Sequence, residues 1–256
     1  MSLPERTRAR AECSASGPFA DTGWLWQRAL VWCGIVGPVV VFVIAVIAAA
    51  RTPAYNPIAD TISDLAAQGA PRPLLMRVGL IVFGSLTIAF ATGLPATMAA
   101  RARLMRVFLS AFGVCVVLLG IFQDYSEAPG APRNSEGFLH NTFGLISIAS
   151  LLGAMLVLAL ITRADTRWRP LAESNYILSL IVLIAAVMFS WGPTRFEGLA
   201  ELVLFSAALA WMGMVTRHAL NVQWDRAGST HRRTTGRQIG TDAQDMATRA
   251  PFPGDG

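Results

Sequence analysis

Of the 256 residues, 54% are hydrophobic and only 14% charged, whereas soluble domains usually carry about 25% charged residues. The apolar residues fall in blocks each long enough to cross a bilayer (about 20 residues), which excludes an ordinary soluble globule. The formal charge of +5 comes with no lysine at all, and the arginines are placed so that they report membrane topology rather than nucleic-acid binding. The fold class read from this pattern is all-α: a polytopic bundle of six transmembrane helices with a short outer amphipathic helix at about 57–68.

Residues 1–28 are polar and carry Arg6, Arg8, Arg10 and Arg28. They read as a disordered cytoplasmic tail ending in an interfacial anchor, Trp24 and Trp26. The first span covers about 29–50. Ala48-Ala49-Ala50 resembles a signal-peptide cleavage site, but the apolar core exceeds the usual ~7–15 residues and a long polar leader precedes it, so the run reads as a retained helix.

The stretch from Tyr55 to Gly69 organises the rest. Asn56 fits a helix N-cap, Pro57 the first helical position and Gly69 the C′ position, with Pro71 just beyond. Ile58, Ile62 and Leu65 share one helical face, and Asp60, Ser63 and Asp64 fall on the other. That predicts a helix lying on the membrane surface and presenting two carboxylates outward.

Further spans cover about 77–98, 104–123, 140–162, 175–191 and 196–216. Between them lie an Arg-rich turn (Arg101, Arg103, Arg106), a Gly/Pro-rich charged loop over 124–139, a second basic turn (Arg163, Arg167, Arg169) and the short turn Gly192-Pro193-Thr194-Arg195. The domain organisation is thus a tail over 1–28, a six-helix membrane domain over 29–217 and a disordered basic cytoplasmic tail over 218–256. Two readings stay open for that tail: Arg226, Arg232, Arg233 and Arg237 hold it near anionic lipid, or it is simply solvated.

Six spans put both termini on one side. That side carries 16 of the arginines and the other side 5, namely Arg51, Arg72, Arg77, Arg133 and Arg195. Both termini are therefore expected in the cytoplasm, with the protein in the plasma membrane. Trp24, Trp32, Trp168 and Trp211 are expected toward the inner interface and Trp191 toward the outer. No motif recurs between the first three and last three spans, so an inverted-repeat transporter finds no support. The spans carry no charge near their centres, which argues against ion-coupled carriers. Three scattered cysteines (Cys13, Cys33, Cys115) form no disulfide framework.

The ionisable residues gather at the outer helix ends. They are Asp60 and Asp64 on the surface helix, Asp124 at the end of the third span, His140 opening the fourth, and Arg195, Glu197 and Glu201 at the start of the sixth. Three readings compete for this cluster. The first is structural, with carboxylates favouring helix N-termini and pairing with arginines. The second is a binding pocket for a lipid headgroup or small ligand, drawing on Asp60, Ser63, Asp64, Asp124, His140, Arg195 and Glu201, with Arg72, Arg77 and Arg195 as phosphate contacts. The third is a hydrolase site with His140 as base and Asp64, Asp124 or Glu201 orienting it or sharing a metal. His140 is the one outer histidine, since His218 and His231 lie in the tail, so a three-His zinc site is excluded. Ser63 beside Asp64 has no nucleophile motif around it.

These residues carry a resemblance to a bacterial integral membrane family, domain of unknown function 998. The matching features are Tyr55-x-Pro57-x-x-Asp60-x-Ile62-Ser63-x-Leu65 after the first span, Asp124 after the third, His140 opening the fourth and Gly198-x-x-Glu201 in the sixth. The match covers roughly 30–217. The family often has Phe-Pro-x-Asp where this chain has Phe122-Gln123-Asp124, and Arg where Leu202 stands, which leaves Arg195 to pair with the outer carboxylates. The resemblance implies the six-helix architecture and points to the same cluster, and it supplies no reaction, cofactor or metal.

The reading that follows is an integral membrane protein with an outward-facing Asp/His/Glu site for a lipid headgroup or small ligand. A membrane-embedded hydrolase acting on a lipid-like substrate is the alternative, and a structural or accessory subunit the third. Membrane lipids are the expected partners. A homo-oligomer stays open, because a lipid-facing surface and a subunit interface read alike in one sequence.

Overall fold

The computed structural model describes the backbone of residues 19–94, 99–125 and 134–248, with side chains described over 25–94, 101, 103–125 and 134–222. Six α-helices account for it: α1 (Phe19–Ala50), α2 (Pro73–Gly93), α3 (Ala99–Ile121), α4 (Ser135–Ala164), α5 (Ala172–Trp191) and α6 (Glu197–Thr248). All six are long and apolar enough to cross a membrane, and no strand occurs among the described residues.

Local chemistry sets several of the helix ends. Pro73 occupies the first turn of α2, where its missing N–H is no loss. Asn134 caps α4 by accepting from the Gly137 N–H at 2.9 Å, the role its short side chain suits. At the C-terminus of α3, Arg77 donates to the carbonyls of Gly120 (2.9 Å) and Ile121 (2.8 Å), which the helix itself leaves without partners.

Each helix packs against the next in the chain, and α6 returns to α1, so the six form a closed ring. Small residues let neighbours approach. A Cβ on Gly84 of α2 would stand 2.5 Å from the Gly113 carbonyl oxygen of α3, and one on Gly113 would stand 2.7 Å from that of Gly84. Such contact is the usual means of helix association in lipid, where hydrophobic burial contributes little.

The two ends of the ring differ. The end near the chain termini is filled. Trp211 Nε1 donates to Asn175 Oδ1 at 2.8 Å, and Asn175 Nδ2 donates to the Met155 carbonyl at 3.2 Å, all buried. His218 Nε2 donates to the Arg167 carbonyl at 2.7 Å, and its ring lies 4.8 Å from that of Trp168. His218 and the fully buried Ala219 therefore belong to the packed bundle rather than to a tail beginning at 218. The backbone of α6 continues to Thr248. Arg226, Arg232, Arg233 and Arg237 have side chains outside the described residues, as does Trp24. Trp168 and Trp211 are core residues and not lipid-facing anchors, because the Trp211 N–H finds its partner inside the bundle. Trp191, in contrast, is 81% exposed at the opposite end.

At that opposite end, hereafter the loop end, residues 51–72 form a strap across the ring. The expected α-helix over 57–68 is absent. The segment runs in turns with a single 3₁₀ turn, Ser63–Ala66. Its apolar residues do not share one lipid-facing side: Ile62 and Leu65 are buried in the core, whereas Ile58 is 48% exposed. The local signals are nonetheless used. Asn56 Oδ1 accepts from the Ile58 N–H at 3.1 Å, an Asx turn instead of a helix cap. Gly69 takes φ 88°, the left-handed conformation that glycine adopts without strain.

Candidate functional site

Beneath the strap the ring encloses a cavity of about 890 Å³. Its upper wall carries Tyr55, Asp60, Ser63, Asp64, Asp124, His140, Glu197 and Glu201. Its lower wall is apolar. Phe83 sits edge-on to Phe112 (6.0 Å between centroids) and to Phe205 (6.4 Å), and these three rings with Leu151 and Ala208 make the floor.

The strap is attached through Glu201. One carboxylate oxygen accepts from the Ile62 N–H in a short hydrogen bond, and from the Ser63 N–H at 3.4 Å. The other accepts from Ser63 Oγ at 2.9 Å. Gly198, one turn earlier, lies so close to the strap that a Cβ there would collide with the Asp60 backbone. The Leu199 N–H donates to the Ile58 carbonyl at 3.0 Å. The Gly198-x-x-Glu201 pattern thus has a physical meaning: glycine admits the strap and the carboxylate holds it.

Asp64 and Thr61 bond reciprocally. The Thr61 N–H donates to Asp64 Oδ2 (2.6 Å), and the Asp64 N–H donates to Thr61 Oγ1 (3.1 Å), a closure of the capping-box kind. Burial raises the Asp64 carboxyl above its ordinary pKa against the pull of the Thr61 bonds, and the charges of Asp124 and Asp60 push the same way. Asp60 folds back on its own loop, accepting from the Asn56 N–H at 2.7 Å. Tyr55 is pushed up to about 12, first by burial and then by Glu201, Asp64 and Asp60.

His140 does not open its helix. Capping by Asn134 starts α4 earlier, and His140 lies in the second turn, 3% exposed. Its Nδ1 is 2.8 Å from the Phe122 carbonyl. A carbonyl only accepts, so Nδ1 carries the proton. Nε2 then faces Asp124, 3.8 Å from Oδ2, beyond hydrogen-bond length. Asp124 lies past the end of α3 and accepts from its own neighbour, the Tyr125 N–H, at 2.7 Å. Glu136 of α4 fastens this stretch by accepting from the Gln123 N–H at 2.9 Å.

Six of the seven residues expected in a binding site line this one cavity: Asp60, Ser63, Asp64, Asp124, His140 and Glu201. Arg195 does not. It is exposed, with its guanidinium 4.7 Å over the Phe196 ring. The other two arginines expected to meet a phosphate are also elsewhere. Arg77 caps α3, Arg72 is exposed, and neither lines the cavity. Arg133 and Glu127 of the second loop lie outside the described residues. Leu202, at the position where an arginine was expected, packs against the core. Asp60, Asp64 and Glu201 thus accept from the strap backbone, and Asp124 from its own neighbour. Among the described residues no group of three or more His, Cys, Asp or Glu is arranged to hold a metal. The lining residues missed were Tyr55 and Thr61, whereas Glu197, placed in the outer cluster by the sequence, also lines the cavity. Tyr55 was visible in the motif, and Thr61-x-x-Asp64 is itself a legible capping pattern.

Fold and site together define a multi-pass membrane protein with a polar cavity at one end of its helix ring. Residues 35–218 match the family described as protein of unknown function (DUF998), and the chain belongs to that family. No curated protein and no solved structure matches the chain.

Proposed function

We propose that the loop-end cavity binds an amphiphile from the outer side of the plasma membrane, its head among the carboxylates and its tail on the apolar floor. The head suited to this wall bears amine or hydroxyl donors, since the lining offers carboxylate acceptors and, among the described residues, no arginine. The observation that carries the reading is the gradient within one cavity. From His140 to Leu151 on α4, and from Glu197 to Ala208 on α6, the wall passes from ionisable to apolar over about 16 Å at ~1.5 Å per residue. That is roughly half the ~30 Å hydrocarbon core.

A path for the tail supports the same reading. Asn141 and Leu145 of α4 and Ser190 and Trp191 of α5 line the cavity and are also exposed on the outside of the ring. The cavity therefore reaches the lipid-facing surface between these two helices. The orientation rests on the arginine bias of the sequence, which favours cytoplasmic termini.

The test uses the full chain in lipid nanodiscs and two probes of equal chain length, an alkylamine and an alkyl sulfate. The alkylamine is expected to raise the unfolding temperature, with the effect reduced in Asp124→Asn and Asp64→Asn. Equal stabilisation by the alkyl sulfate would overturn the proposal.

A hydrolase is the second reading, favoured by His140. With Nδ1 fixed on a carbonyl, Nε2 is the nitrogen free to take a proton from water beside Asp124. Ser63 is not its nucleophile, because that hydroxyl donates to Glu201. Ester cleavage on amphiphilic substrates that disappears in His140→Gln would establish this reading.

A further inference from the structure

A second cavity, of about 600 Å³, lies at the termini end between α1 and α6, lined by Arg28, Trp32, Ile35, Gly213, Arg217 and Asn221 among others. Its chemistry is opposite to that of the first: two arginines and an amide, with no acidic residue among the described residues that line it. We infer that this groove is a binding site for the phosphate headgroup of an anionic phospholipid, with the two arginines on the headgroup and an acyl chain along Trp32, Ile35 and Gly213.

Depth is the first argument. Arg28 precedes the loop end of α1, Ala50, by 22 positions, and Arg217 follows the start of α6, Glu197, by 20. At ~1.5 Å per residue these are about 33 and 30 Å, one hydrocarbon thickness from the loop end. Both guanidinium groups therefore reach the level of the phosphates in the leaflet on the termini side. Arginine suits a phosphate because its planar fork can donate two parallel hydrogen bonds.

Shape is the second. Gly213 faces open space, since a Cβ there would meet nothing within 4 Å. Further along the same seam Gly34 of α1 packs tightly, since a Cβ there would collide with Thr216 Oγ1 of α6, so a glycine facing a void is a different device. It leaves room between α1 and α6 for something that is not protein. Trp32, 47% exposed, borders that room, and an indole at the interface is the side chain that tolerates both headgroup and chain. A basic pocket between helices on this side of a membrane protein is the geometry that recognises anionic headgroups.

The site is independent of the loop-end cavity, and so is its test. The full chain is extracted from nanodiscs of phosphatidylcholine containing phosphatidylglycerol, and retained lipid is read by native mass spectrometry. Phosphatidylglycerol is expected to be retained in preference to phosphatidylcholine. Arg217→Gln should lower retention by about fivefold, the effect of one charge near the surface. Gly213→Leu should lower it further while leaving the unfolding temperature unchanged, because the added side chain enters open space. Retention in Gly213→Leu equal to that of the unaltered chain would overturn the inference. Displacement of the adduct by millimolar inorganic phosphate would do so too, since the site would then be one for a free anion.

Discussion

The two ends of the helix ring are closed by different means. At the termini end the interior is packed solid around Trp168, Trp211 and Asn175, and what space remains is a basic groove on the outside, between α1 and α6. At the loop end the interior is left open, and a strap of irregular backbone covers it, held to α6 by the Glu201 carboxylate and the Leu199 N–H. A chain that only needed to be stable in the membrane would pack both ends alike. Leaving about 890 Å³ open under a strap forgoes the dispersion contacts that close packing supplies, and it is this open interior that the proposed function fills with a ligand.

The largest expected effect comes from cutting the strap loose. Glu201→Ala removes the acceptor for two backbone N–H groups and the Ser63 hydroxyl, and should cost about 3 kcal/mol. Protease sensitivity should appear within 51–72. Unchanged unfolding and an intact strap would mean that the loop end is held by other contacts. Asn175→Ala is the matching test at the packed end. It orphans the Trp211 N–H and should cost about 2 kcal/mol, read by denaturant unfolding in micelles with no change in strap proteolysis.

Gly198→Val forces a side chain into the Asp60 backbone and should destabilise by about 1–2 kcal/mol, with the strap again the part exposed. A smaller effect follows pH. Burial raises the Asp64 carboxyl above its ordinary value of 3.8, so the folded chain holds that proton more tightly than the unfolded chain. This contribution is complete below the ordinary value and is lost as pH rises through the raised one. The stability difference between the unaltered chain and Asp64→Asn should therefore shift between mildly acidic and neutral pH in favour of Asp64→Asn. A difference independent of pH would show that Asp64 ionises as in water. The smallest is spectroscopic. A phenolate absorbance step at about pH 12 is expected from Tyr55, and Tyr55→Phe should abolish it with little change in stability.

What the sequence by itself determined is the set of spans, their even number and the end at which the ionisable groups collect. Those follow from a local requirement: in lipid each backbone polar group must be satisfied within its own segment, so every apolar block of sufficient length becomes a helix. Residues 29–217 accordingly read as six helices before any contact is known. The ends were less legible: the Asn134 cap was not read, so the span expected from about 140 begins at Ser135 and His140 lies deeper in α4, and Gly69 was read as ending a helix that the strap does not form. Tertiary structure alone decided the strap. Over 57–68 the wheel pattern favours a helix, yet a helix of about 12 residues is marginal in isolation. Glu201, 138 residues beyond Ser63, offers the backbone N–H groups a stronger partner than an intrahelical carbonyl. The same long-range contacts decided that carboxylates, and among the described residues no arginine, line the cavity, and that Trp168 and Trp211 lie inside. Those facts depend on which helices close the ring, and no stretch of the chain carries that information alone.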